Sequence, residues 1–307
     1  MKKLFYLSIS LIFVFGCADL DLQPTDMISE DAVKKDPKLV EAFLTKIYAN
    51  AVFEPNEVSS MKGQERLTDA VVGAEYTLMA PWQNGVKASY SIPTSSGAHN
   101  NLNRWHYGNI RSCNEIIEIL NNATFDAATV KQQIAEAKFL RAWMYLDMAK
   151  RYGGMPLEIT AKSVDAGTDE LMIPRSTLKA TYDQIISDLD AGIADLPGSA
   201  LYGKASKWAA FALKSRAALY AARIAKYHPQ SADGLTSIPS GSAGGYYASA
   251  LASANAVIDG GKHALHTGSN KETTFGEIFY KVKGISEIIF SEEYNTGLGK
   301  THAWSGY

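Results

Sequence analysis

Six side chains with polar or aromatic chemistry sit in stretches that lack regular apolar spacing: Asp69, Trp82, Tyr90, Asn100, Trp304 and Tyr307. A flat indole or phenol ring can cover the C–H face of a pyranose, while Asn and Asp exchange hydrogen bonds with the rim hydroxyls. The set therefore reads as a sugar-binding surface, with Trp82, Tyr90 and Trp304 as platforms and Asp69 and Asn100 as hydroxyl partners. Each ring has a second reading, as a plug for the core beneath a long loop, and the sequence leaves both open.

Other chemistries find less support. Leu298-Gly299-Lys300-Thr301 has the end of a phosphate-binding loop, but the glycine needed five residues before Gly299 is Tyr294. His263 and His266 are spaced for one helix face, yet Gly260-Gly261 predicts a turn there, and no Cys or acidic cluster supplies further ligands; neither a metal nor a cofactor is expected. Glycoside hydrolysis needs two carboxyl groups flanking a cleft. Glu292 and Glu293 are adjacent and point to opposite sides of an extended segment, and no GxSxG elbow exists for a serine hydrolase. The expectation is a binder, not an enzyme. With 30 Lys+Arg against 32 Asp+Glu and no basic run after Lys2-Lys3, nucleic acid is not an expected partner either.

The first residues address the chain to a membrane. Lys2-Lys3 precede an apolar run from Leu4 to Phe15, which is too short to span the hydrocarbon core at about 20 residues per helix, so residues 1–16 read as a removable signal peptide. Val14-Phe15-Gly16-Cys17 resembles a lipobox, with Phe15 departing from the small residues usual there, and makes Cys17 the lipidation site. Removing residues 1–16 takes away two lysines and no acid, moving the formal charge from -2 to -4. Cys113 is then left without a disulfide partner and lies in a helical apolar pattern, so it is expected as a buried, inert thiol. Residues 17–36 are polar, contain Pro24 and read as an extended tether.

Beyond the tether the elements are helical. The spacing predicts helices over Pro37–Phe53, Trp105–Asn121, Ala127–Tyr152, Thr177–Leu196, Ser206–Tyr227 and Tyr246–Asp259, separated by an irregular Pro- and Gly-containing stretch (Glu54–Asn103) and a polar loop (His228–Gly245). The Ala127–Tyr152 helix, whose stripe includes Leu140, Trp143 and Leu146, is apolar over more than half its circumference and must be covered on several sides. Gly153-Gly154 and Pro156 stop it, and the alanines of Ser206–Tyr227 allow close helix approach. Glu287–Tyr294, with Ile288-Ile289, reads as a strand or extended segment. The fold class expected is mainly α, with stacked tetratricopeptide (TPR)-like helical pairs, long irregular loops and few short strands; no fixed 34-residue repeat appears, so that comparison is one of packing.

Several segments together resemble the SusD/RagB family of outer-membrane nutrient-binding lipoproteins. They are Cys17 with Asp19-Leu20-Asp21-Leu22-Gln23-Pro24, then Tyr107-Gly108-Asn109-Ile110-Arg111-Ser112-Cys113-Asn114, then Glu136-Ala137-Lys138-Phe139-Leu140-Arg141-Ala142-Trp143-Met144-Tyr145 continuing to Tyr152-Gly153-Gly154-Met155-Pro156. Ile173-Pro174-Arg175-Ser176-Thr177 with Asp188-Leu189, Ala212-Leu213-Lys214-Ser215-Arg216-Ala217, and Tyr246-Tyr247 to Gly260-Gly261-Lys262 complete the set. The resemblance implies a lipid-anchored, exterior-facing outer-membrane protein that binds glycan without cleaving it and delivers it to a TonB-dependent, SusC-like channel. Asp19 and Asp21 resemble the signal that sends such lipoproteins to the cell surface. Some family members take peptides instead. Relatives are longer, which implies that residues 37–307 form a SusD-like helical domain truncated at its C-terminus.

Overall fold

The computed structural model describes residues 28–51, 105–163, 165–200, 203–281 and 283–291. In chain order its helices are α1 (Glu30–Val33), α2 (Pro37–Asn50), α3 (Tyr107–Asn121), α4 (Ala127–Tyr152), α5 (Thr168–Leu171), α6 (Leu178–Asp195), α7 (Lys207–Tyr227), α8 (Ala243–Asp259) and α9 (Lys271–Tyr280). Short polar side chains decide where they begin. Asp36 accepts from the Lys38 N–H, Asp126 from Thr129, Thr177 from Ala180, Ser206 from Ala209 and Asn270 from Thr273, so each takes up a backbone donor that the first helical turn leaves orphaned.

The helices α3, α4, α6, α7 and α8 pack each against the next, and α2 lies against α3 and α4. This is the mainly α, TPR-like stacking expected. Helix α4 is its centre, touching α2, α3, α6 and α7, and Phe139, Leu140, Met144, Tyr145 and Met148 on it are fully buried. Trp143, expected on the buried stripe, is only partly buried and packs against the core from its edge. On α7 the sequence spends small residues where backbones must approach: Ala217, Ala218, Ala221 and Ala222 are all at 0% exposure. Cys113 is a buried free thiol, as expected, and burial pushes its pKa up to about 12.

At the end of α4 the backbones of the chain leading into α6 and of the loop after α7 come too close for side chains. Gly153 has φ +78° and would place a Cβ 2.4 Å from the Leu235 carbonyl oxygen, while a Cβ on Gly154 would lie 2.2 Å from that of Ser176. Arg175 donates to the carbonyls of Gly154 at 2.8 Å and Tyr152 at 2.7 Å, satisfying the end of α4. Two motifs separate in sequence, Tyr152-Gly153-Gly154 and Ile173-Pro174-Arg175-Ser176-Thr177, are thus one structural joint.

Four readings need correction. The described part of the segment expected as a strand or extended, residues 287–291, is a turn and bends: Ile288 N–H donates back to Ile285, and Phe290 meets Phe139 edge-on with centroids 5.5 Å apart. Its β-branched residues serve burial and not pairing, and no strand occurs among the described residues. Helix α1 falls inside the stretch read as tether, capped by Ser29, and the Lys34 carbonyl accepts from Thr124, tying it to the end of α3. Helix α8 starts three residues early, behind a 3-10 turn at Ser240–Ser242, because Gly244 and Gly245 sit in a first turn that tolerates them. Helix α9 was not anticipated, although Asn270 is its cap.

One buried polar group joins the layers. The Arg141 guanidinium, on α4, donates to both carboxylate oxygens of Asp188 on α6 (2.8 and 2.6 Å), to Asn114 Oδ1 on α3 (2.6 Å) and to the Ile159 carbonyl (3.0 Å). Asn114 in turn donates to the carbonyls of Glu158 and Thr160. Removing one partner leaves the other charge buried and uncompensated, so Asp188→Ala should cost about 3–5 kcal/mol in denaturant melts. The double change Arg141→Met with Asp188→Leu should cost less than the sum of its single changes; strict additivity in that cycle would show that the pair is not coupled.

Candidate functional site

The residues proposed from sequence for ligand binding, Asp69, Trp82, Tyr90, Asn100 and Trp304, lie outside the described residues, as do Cys17, Tyr307, Glu292-Glu293 and Gly299-Lys300-Thr301. What the described residues present is another aromatic surface. Trp105, immediately before α3, stacks on Tyr152 at the end of α4 with centroids 4.1 Å apart and planes 6° from parallel, and Tyr107 is stacked with it at 6.3 Å and 17°. Trp105 remains 57% exposed. A stacked indole that keeps more than half its surface open is a rigid apolar plate facing solvent.

Two helix ends make this plate. The start of α3 presents Trp105 and Tyr107; the end of α4 presents Tyr152, whose carbonyl is held by Arg175. Tyr107 donates its hydroxyl to the Pro156 carbonyl at 3.0 Å, and burial raises its pKa to about 12, so it stays a neutral donor. Beneath the plate, His106 is 6% exposed and its backbone N–H donates to Met148 Sδ at 3.4 Å. His106 Nε2 lies 3.0 Å from Asp147 Oδ2, and Arg151, one turn on along α4, donates to the same carboxylate. Burial would raise the Asp147 pKa, but the hydrogen bond from His106 and the charge of Arg151 outweigh it and hold the carboxyl at about 2. Trp105 had been read only as the first residue of a helix. The available signal was its position before the helix proper, with Tyr107 two residues on.

The histidines weighed as metal ligands act as struts. His263 Nδ1 is 3.1 Å from the Ser286 carbonyl, and His266 Nε2 is 2.6 Å from Glu277 Oε2 on α9. Among the described residues no cluster of His, Cys, Asp and Glu could hold a metal ion, and no helix is long and apolar enough to cross a membrane.

Comparison with known proteins fits this architecture. No curated protein sequence matches the chain. A SusD-like protein from Bacteroides fragilis is 25% identical, with a TM-score of 0.65 over 89% of this chain and 47% of its own. A SusD-like carbohydrate binding protein from the same species is 17% identical (TM-score 0.60; 86% of this chain, 47% of its own). A SusD superfamily protein from Bacteroides thetaiotaomicron is also 17% identical (TM-score 0.56; 85% and 53%). The chain spans about half the length of these solved relatives. The SusD-like family described as "Starch-binding associating with outer membrane" matches residues 20–219. With stacked helices in the same arrangement and a family match over most of the chain, this protein belongs to the SusD-like (SusD/RagB) family.

Proposed function

We propose that the protein is a surface-exposed outer-membrane lipoprotein that binds glycan and passes it, uncleaved, to a TonB-dependent channel. The observation that carries the binding part is the Trp105–Tyr152–Tyr107 stack. An indole already fixed by a ring beneath it has its rotamer entropy spent before ligand arrives, so a sugar face laid on it gains contact area at little ordering cost. The plate offers no nucleophile and needs none. Family membership supports the glycan class and the outer-membrane setting. Delivery to a SusC-like channel and lipid attachment at Cys17 extend that reading.

Affinity electrophoresis against a panel of soluble polysaccharides, with reducing ends assayed in parallel, tests the binding claim. Trp105→Ala should abolish retardation in every gel that retards the wild type while its circular dichroism is unchanged, with no reducing ends released by either protein. Unchanged retardation would remove the plate from the site; released reducing ends would make the protein an enzyme.

Cys17→Ala should move the protein from outer-membrane pellets to the soluble fraction, because burial of acyl CH₂ groups at about 0.8 kcal/mol each is then lost. A variant that still pellets in high salt is not held by lipid.

The buried anchor under the plate predicts an acid limb. The folded-state pKa of Asp147, about 2, lies below the unfolded value of about 3.9. Its stabilisation is therefore fully present above pH ~4 and is lost as pH falls through about 2. That depression corresponds to roughly 2–3 kcal/mol, so Asp147→Asn should cost that much at neutral pH and nothing further near pH ~2. Urea midpoints measured across that range decide it, and a pH-independent difference would mean that the carboxylate charge is not what holds the joint.

A further inference from the structure

Between α2, α4 and the loop joining α6 to α7 lies a cavity of about 400 Å³, lined among others by Glu41, Gln132, Gln133, Glu136 and Lys204. Its polar groups do not satisfy one another. Gln133, 6% exposed, donates through Nε2 to the Pro37 carbonyl at 2.9 Å, but its Oε1 is buried with no hydrogen-bond partner. Lys204 holds its ammonium 3.5 Å from Thr45 Oγ1, 3.7 Å from Glu136 Oε2 and 3.9 Å from Glu41 Oε1, distances too long for any of its three donors to be well used. Glu136, 6% exposed, receives only long bonds, 3.3 Å from Gln132 and 3.4 Å from the Tyr48 hydroxyl. Burial pushes its carboxyl above the usual carboxylate range in spite of Lys204. Polar groups held at such separations around a hollow leave room for an oxygen that bridges them.

The charges select the occupant. An anion would meet Glu41 and Glu136 and a cation would meet Lys38 and Lys204, because the lining carries both signs. A neutral hydroxyl avoids both conflicts, since its oxygen accepts from Lys204 while its hydrogen donates to Glu136. A hollow of this volume lies within the range of small-molecule sites, roughly 300–1,000 Å³. We propose that this cavity is a second ligand site, separate from the Trp105 plate, that binds one neutral sugar unit through Lys204, Gln132 and Glu136. The choice of a sugar among neutral polyols rests on the glycan reading above; the preference for a neutral hydroxyl-bearing ligand rests on the cavity alone.

Saturation-transfer NMR and calorimetry with free glucose, galactose and xylose, and with glucuronate as the anionic control, test it on the full chain. The wild type should bind at least one neutral sugar with a millimolar dissociation constant and bind glucuronate more weakly. Lys204→Met should weaken the neutral sugar by roughly tenfold or more, the scale of a lost charged hydrogen bond. If Lys204→Met does not fold, Gln132→Leu, which alters the same lining without removing a charge, should weaken binding in its place. Absence of binding by all the neutral sugars, stronger binding of glucuronate, or equal affinity in wild type and a folded lining variant would overturn the proposal. Monosaccharide binding by the wild type with no polysaccharide retained by it would overturn the Trp105 reading and leave this site standing; polysaccharide retention with no monosaccharide bound would overturn this site alone.

Discussion

The arrangement of the helices depends on one buried cation. Arg141 sits in the middle of α4, and its fork is filled from three directions: the carboxylate of Asp188 on α6, the amide oxygen of Asn114 on α3 and the backbone of Ile159. Taking a guanidinium out of water costs several kcal/mol, which the ion pair and the added hydrogen bonds only offset, so the group adds little net stability over an apolar core of the same shape. What it adds is register. A planar fork meets a carboxylate in parallel bonds at one geometry, and a slip of α6 against α4 by a single turn would leave two charges buried and separated.

From that fixed register the joint at the end of α4 follows. The Tyr145 hydroxyl, one turn beyond Arg141, accepts from the Glu158 N–H at 2.7 Å and donates to the Glu158 carbonyl at 3.1 Å, holding the returning chain against α4. The backbone can double back so tightly only because Gly153 and Gly154 carry no Cβ. Arg175, arriving from just before α6, then occupies the carbonyls of Tyr152 and Gly154. Tyr152 is therefore a ring on a braced helix end, and the indole of Trp105 has a fixed surface to lie on. The core sets the plate through a chain of backbone contacts, none of which involves a ligand.

How much of this the sequence discloses depends on whether the signal is local. Caps and stops are local: Asp126, Thr177 and Ser206 announce helices, Gly153-Gly154 ends one, and the observed boundaries fall within a residue or two of those positions. Ile288-Ile289 misled because β-branching favours strands only where a partner strand exists; here the segment buries its apolar side chains by bending over Phe139. Helix α9 is ten residues long with a modest apolar pattern, and periodicity over so short a span carries little information. The site was harder still. Trp105 and Tyr152 are far apart in sequence and become one surface only through the pairing of α3 with α4, whereas the aromatics chosen from sequence, Trp82, Tyr90 and Trp304, fall outside the described residues.

Helix α4 also separates two uses of buried charge. It carries Glu136, Arg141 and Asp147, each 6% exposed or less, toward different neighbours. Burial opposes ionisation for both carboxyls, yet their pKa values move in opposite directions. Asp147 has Arg151 and His106 in direct contact and is held low; Glu136 has only long contacts beside a hollow and is pushed high. A buried acid whose partners outweigh desolvation belongs to the scaffold, because folding has already completed its shell. A buried acid for which desolvation wins has partners too distant to offset its burial. By this reasoning the Asp147 end of α4 is a strut beneath the Trp105 plate, while the Glu136 end borders the cavity proposed above as a second site.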